Sequence, residues 1–130
     1  KYKKLDFLSI DEPELRLGLV DKESNNEKLI KKIEKRYKNI MLTRGRDGLL
    51  FKKNKEKIVY FPALATNPRD TIGAGDTTYS FASCFVKNSK DSNLISFVSA
   101  IAGALKVNII GHRSYVSLNE IHKTLINLTK

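Results

Sequence analysis

Between positions 70 and 77 the chain reads Asp70-Thr71-Ile72-Gly73-Ala74-Gly75-Asp76-Thr77, two carboxylates around a run of small residues. Gly73 and Gly75 flank Ala74, so the backbone can turn tightly and approach a ligand with no Cβ in the way. The next segment, Thr77 to Phe85, has the apolar spacing of a helix. The amides of Gly73, Ala74, Gly75 and Asp76 therefore fall at a helix N-terminus, where unpaired N–H groups and the helix dipole favour an anion. Asp76 is acidic where that field favours negative charge. Such a carboxylate can accept a proton from a hydroxyl while the neighbouring amides hold a phosphoryl group. A glycine-rich turn capping a helix uses the same glycines, but it does not require two aspartates at this spacing.

Asp70-Thr71-x-Gly73-Ala74-Gly75-Asp76, in strand–loop–helix context, resembles the C-terminal signature of the PfkB/ribokinase family of sugar and nucleoside kinases. The resemblance implies that Asp76 is the catalytic base on the sugar hydroxyl. It also implies that Gly73, Ala74 and Gly75 form the anion hole for the transferred phosphoryl group. That division suits phosphoryl transfer, where catalysis is mostly positioning and charge stabilisation.

Several elements must bring partners to this loop. Lys4 to Ile10 reads as a short buried strand, followed by a helix from Asp11-Glu12-Pro13-Glu14 to about Leu19, with Asp11 as a plausible N-cap. The acidic residues alone describe a helix start. The family carries an Asn-x-x-Glu motif after a strand, and Asp11-Glu12-Pro13-Glu14 is similar to it with Asp in place of Asn. The resemblance implies that Glu14 helps hold Mg²⁺ on the phosphates through water. Residues 26–38 form an amphipathic pattern with Leu29, Ile30, Ile33 and Tyr37 on one face, and 39–43 follow as a buried strand. The turn 44–48 and the strands 49–53 and 57–62 then suggest an antiparallel hairpin at a sheet edge. Thr43-Arg44-Gly45-Arg46-Asp47-Gly48 resembles the family's Thr-x-Gly-x-x-Gly loop at the nucleotide phosphates. Thr43, Gly45, Gly48 and Thr71 are thus implied contacts to ATP, with Arg44 or Arg46 supplying charge.

Helices are expected at 75–88, 92–107 and 117–129, starting at Asp91, Ser92 or Asn93 for the second and Ser117 for the third. The stripe Ser99-Ala100-Ile101-Ala102-Gly103-Ala104 permits close packing. In the family the corresponding helix borders adenine, which implies roles for Ala100, Gly103, Ala104 and Val107. Gly111-His112-Arg113-Ser114 takes the place of the family's terminal glycine-containing loop, and the resemblance implies that Asp70, Ile72 and Gly111 can bind a monovalent cation such as K⁺. His112 has no His/Cys/Asp cluster around it and reads as a loop residue.

The implied fold is α/β, the C-terminal half of a ribokinase-like three-layer domain with a mainly parallel sheet, flanking helices and an antiparallel edge hairpin. Residues 1–130 form a single C-terminal subdomain, and the expected chain is a fragment without the N-terminal sugar-binding half and lid. The implied activity is ATP-dependent phosphorylation of a sugar or sugar phosphate, with the isolated fragment inactive. The Gly75-Asp76-Thr77 ending and the 102–107 and 111–114 regions look most like heptose-phosphate kinases of ADP-heptose synthesis, and the full-length protein is expected to be a homodimer.

Composition narrows the classes. At 130 residues and 41% hydrophobic content, one domain can bury a core, and no apolar run reaches membrane-spanning length. Nothing near Lys1-Tyr2-Lys3-Lys4 resembles a signal peptide, and the single cysteine, Cys84, lies in an apolar helical stretch where it reads as a core residue. A cytoplasmic setting follows. The net charge of +10 invites nucleic-acid binding, but the 18 lysines outnumber 6 arginines and are dispersed rather than interleaved with aromatics. A non-catalytic module of the same fold and a basic nucleic-acid-binding domain stand as the alternatives to the kinase. An upstream reading frame supplying the missing sheet counts against the first. Absence of salt-dependent retention on nucleic acid dismisses the second.

Overall fold

The computed structural model describes residues 5–111, 113–128 and 130. Expectations for Lys4, His112 and Thr129 lie outside these residues. β1 (Leu5–Asp11) and β2 (Tyr37–Thr43) pair in parallel, joined by the crossover through α1 (Glu12–Leu19) and α2 (Asn26–Ile33). β3 (Leu49–Lys53) and β4 (Val59–Phe61) add antiparallel strands, so the sheet runs in the order β1-β2-β3-β4. Helices α3 (Ala74–Val86), α4 (Ser92–Lys106) and α5 (Leu118–Leu128) complete the chain. The antiparallel part is wider than an edge hairpin, because the 3₁₀ turn Gly45–Asp47 returns β3 directly against β2.

The period-2 alternation of the strands sorts their side chains onto two cores. Ile40, Leu42 and Leu50 point to one face, where Leu15 of α1 and Leu29, Ile30 and Ile33 of α2 cover them. Met41, Leu49 and Phe51 point to the other face, against Ala82 and Val86 of α3 and Ile95 of α4. β1 follows the same alternation, with Leu8 and Ile10 on the first face and Phe7 on the second. The result is an α/β/α sandwich in three layers. α5 closes a third cluster through Ile121 against Val98, Ile101 and Ala102 of α4.

Local chemistry sets the helix boundaries. Asp11 caps α1 by accepting from the Glu14 amide at 2.7 Å, and Asn25 caps α2 from Lys28 at 2.9 Å. The Asp91 carboxylate caps α4, accepting from the amides of Asn93 and Leu94. Ser117 and Glu120 form a reciprocal capping box at α5. α2 ends at Ile33, short of the expected 38, and Tyr37 lies in β2 opposite Leu5. Pairing with β1 outweighs one further helical turn there. Cys84 is a second correction: the thiol is exposed and donates to the Ser80 carbonyl, because the buried face of α3 passes through Ala82 and Val86. No helix among the described residues is long and apolar enough to cross a membrane.

At the surface, Asp21 pairs with the Lys32 ammonium and accepts from the Ser24 amide, and both hold its carboxyl well below the usual carboxylate range. A depressed folded pKa gives stability that is complete above the unfolded carboxyl pKa and disappears as pH falls. Melting temperature should therefore fall more steeply in wild type than in Asp21→Asn below about pH 4, measured by thermal denaturation across an acid series.

Candidate active site

The strand ends and the α3 N-terminus converge on one edge of the molecule. Asp11 at the end of β1 lies opposite Thr43 at the end of β2, so both meet the loop that enters α3. Ligands of open α/β sheets bind at this carboxyl end of parallel strands.

Gly73 is the N-cap of α3 with φ of 75°, a left-handed conformation that glycine adopts without a Cβ penalty. Its carbonyl accepts from the amide of Thr77 at 3.0 Å. The Ala74 amide donates to the Thr71 carbonyl at 3.2 Å and so closes the turn. That corrects the four-amide nest drawn from the sequence, since one amide is consumed by the loop itself. Among the described residues, the amides of Gly75 and Asp76 have no protein acceptor. A Cβ added at Gly75 meets nothing within 4 Å, so the fold does not require glycine there and the space above the backbone is open.

Asp70 is the brace of this loop. One carboxylate oxygen accepts from the Ile72 amide at 2.9 Å and the other from the Gly111 amide at 2.7 Å. The amides of Arg69 and Asp70 both donate to the Val107 carbonyl, at 2.8 and 3.0 Å. The signature loop is thereby tied to the end of α4 and the segment beyond it.

Two adjoining clefts flank the α3 N-terminus. The larger, about 770 Å³, is bordered by the 43–48 turn, the 62–65 loop, the signature loop and one side of α4. It brings together Thr43, Gly45, Gly48, Thr71, Ala100, Gly103, Ala104 and Val107, the set that the family resemblance implies for a nucleotide. Asp70, Ile72, Ala74 and Gly75 also border it. The smaller, about 370 Å³, holds Glu14 and Asp76 with Asp11, Thr43, Gly73 and Gly75. Asp76 and Glu14 are exposed, and neither carboxylate forms an ion pair among the described residues. Glu12, two residues before Glu14, is instead taken by Arg16 and Asn26.

Of the two arginines in the turn, Arg46 lines the larger cleft. Arg44 folds back, with its guanidinium over the Tyr60 ring at 5.3 Å and donating to the Asp47 carbonyl at 2.5 Å. Gly48 has φ of 79°, and a Cβ there falls 2.1 Å from the Phe61 carbonyl oxygen, so this glycine brings β4 close to the turn. The 62–65 loop and Arg69 are lining that residue patterns missed, because nothing in Pro62-Ala63-Leu64-Ala65 marks a ligand. Gly111 lies outside both clefts, and its carbonyl accepts from the Lys106 ammonium at 2.6 Å. Among the described residues no three His, Cys, Asp or Glu side chains cluster as a metal site. The Glu14–Asp76 cleft fits an oxygen-seeking divalent ion only where phosphates complete the coordination.

Residues 2–108 match the model of the pfkB family carbohydrate kinases. Among solved structures, ribokinase from Thermotoga maritima is similar over 95% of this chain and 43% of its own, at 25% identity and a TM-score of 0.81. Ribokinase from Arabidopsis thaliana, complexed with ribose and ATP, is similar over 95% and 41%, at 24% identity and a TM-score of 0.83. Phosphofructokinase-2 from Escherichia coli in complex with potassium shares the fold over 98% and 42%, at 16% identity and a TM-score of 0.82. The chain thus spans less than half the length of each. No curated protein matches in sequence.

The contact between α3 and α4 is tight at one point. A Cβ on Gly103 falls 2.7 Å from Thr78 Oγ1, which donates to the Ala74 carbonyl in the first turn of α3. Gly103→Ala is expected to lower stability by about 1–3 kcal/mol through overpacking, read by denaturant unfolding. Adding Thr78→Ala should recover part of that loss, a non-additivity expected of residues in contact.

Proposed function

Because the chain belongs to the pfkB family of carbohydrate kinases, we propose that it carries the nucleotide and phosphoryl half of an ATP-dependent kinase acting on a sugar or sugar-phosphate hydroxyl. One observation carries this reading. The open amides of Gly75 and Asp76 lie at the α3 N-terminus, beside the Asp76 carboxylate and a cleft large enough for a nucleotide. Residues 1–130 form the C-terminal subdomain of that kinase, and the sugar-holding elements belong to the remainder of the family fold.

Each residue has a role in that scheme. ATP lies along the larger cleft, its adenine against Ala100, Gly103, Ala104 and Val107, where small side chains leave a flat apolar wall. Thr43, Gly45 and Gly48 meet the phosphates, and Arg46 adds positive charge on the same side. The backbone amides of Gly75 and Asp76, with the α3 dipole, stabilise negative charge on the phosphoryl group in flight. Asp76 accepts the proton from the attacking hydroxyl. Gly73 and Ala74 set the turn that aims those amides. Mg²⁺, when bound, neutralises phosphate charge and orients the leaving group. Glu14 would help hold it, with Asp11 serving as the cap that positions Glu14. Within the acceptor class we favour a heptose phosphate, on the resemblance of residues 102–107 and 111–114 to that subgroup.

Asp76→Asn in the full-length protein removes the base and leaves the fold intact. Turnover should drop about 10²–10⁴-fold, with ATP affinity and melting temperature unchanged. Wild-type-like turnover in this variant contradicts the assignment.

A further inference from the structure

The family resemblance implies a monovalent cation among the backbone oxygens of Asp70, Ile72 and Gly111, and one of those three oxygens already faces a cation of the chain's own. Gly111 carbonyl oxygen accepts from Lys106 Nζ at 2.6 Å. Lys106 is 5% exposed, so its ammonium does not reach out to water as lysine ordinarily does. A buried ammonium is costly unless it is held by acceptors, and this one is held at the loop where an alkali ion is expected. We propose that the Lys106 ammonium is a built-in monovalent cation, and that this protein neither binds nor requires potassium at the signature loop.

Three features of the surroundings support that role. Lys106 is the last residue of α4, where the negative end of the helix dipole and the final carbonyls favour a cation. Val107, next in the chain, receives both the Arg69 and the Asp70 amides, so the base of the lysine is fixed to the entry of the signature loop. Gly111 then joins the two charges: its amide donates to the Asp70 carboxylate and its carbonyl accepts from the Lys106 ammonium. An ammonium and a potassium ion carry the same charge and suit the same carbonyl oxygens. A tethered ammonium cannot dissociate, so the loop beside the phosphoryl site is fixed whatever the salt.

This inference rests on the family reading of the loop, and a thermal readout needs no nucleotide, so its failure is distinct from failure of the kinase assignment. Melting temperatures are compared in potassium chloride and in tetramethylammonium chloride at equal ionic strength. Wild type should melt within about 1 °C in the two salts, because no selective cation site remains to be filled. Lys106→Ala should melt several degrees lower in tetramethylammonium and recover selectively in potassium, as a vacated site takes up the ion. A variant that folds only in potassium counts equally in favour. Potassium-specific stabilisation of wild type overturns the proposal, and this arm decides alone if the variant folds in neither salt. A folded variant indifferent to potassium overturns it too.

Discussion

The Asp70 carboxylate holds the site together. Its two oxygens accept from amides in two separate segments, Ile72 within the signature and Gly111 beyond α4, the latter 41 residues after Asp70 in the chain. Hydrogen bonds to an ionised acceptor are shorter and stronger than neutral ones, so a single side chain fixes two backbone segments at once. The turn through Gly73 inherits its position from this brace. So does the direction in which α3 starts, and with it the aim of the Gly75 and Asp76 amides. The first aspartate of the signature is therefore structural in its side chain, whereas the Asp76 carboxylate is exposed and forms no ion pair among the described residues.

The sheet supplies the other half of the arrangement. Because β1 and β2 run in parallel, Asp11 and Thr43 finish side by side and face the α3 N-terminus across the smaller cleft. The antiparallel return through Gly45–Asp47 brings a second backbone turn to the larger cleft, and Gly48 lets β4 approach where any Cβ would collide. α4 closes that cleft with small residues, and the contact of Gly103 with Thr78 keeps it close to α3. Positive charge at the larger cleft comes from Arg46, whereas Arg44 is spent on Tyr60 and its own turn. The excess of lysine over the rest of the surface follows the solvated helix faces, as with Lys31 and Lys32 in the last turn of α2.

Residue patterns made most of this fold legible. Residues 39–43 read as a buried strand, and Ile40, Met41 and Leu42 are buried in the two cores; Asp11, Ser117 and, of three candidates, Asp91 cap real helix starts. The family resemblance named Asp76, Gly75 and eight positions for a nucleotide, and the fold brings these residues to one end of the sheet. The misses share a cause, which is that tertiary contact decides between locally equal options. Tyr37 suited a helix face until β1 recruited it as a strand. Cys84 suited a core until the packing angle of α3 turned it outward. The consumption of the Ala74 amide by Thr71 and the reach of Lys106 to Gly111 are short-range contacts in irregular backbone around a helix end, which the periodicity of helices and strands does not encode.

The central claim is that the α3 N-terminus is an anion site for a bound nucleotide's phosphoryl group. Calorimetric titration with Mg-ATP, run beside Gly75→Val, tests it most directly. A Cβ at Gly75 meets nothing within 4 Å beyond its chain neighbours and its own helix backbone, so the variant should stay folded while its side chain fills the space that the phosphates need. Saturable binding by wild type, lost in a variant that retains its melting transition, is the predicted result. Equal binding by the folded variant, or none by a folded wild-type protein, contradicts the account.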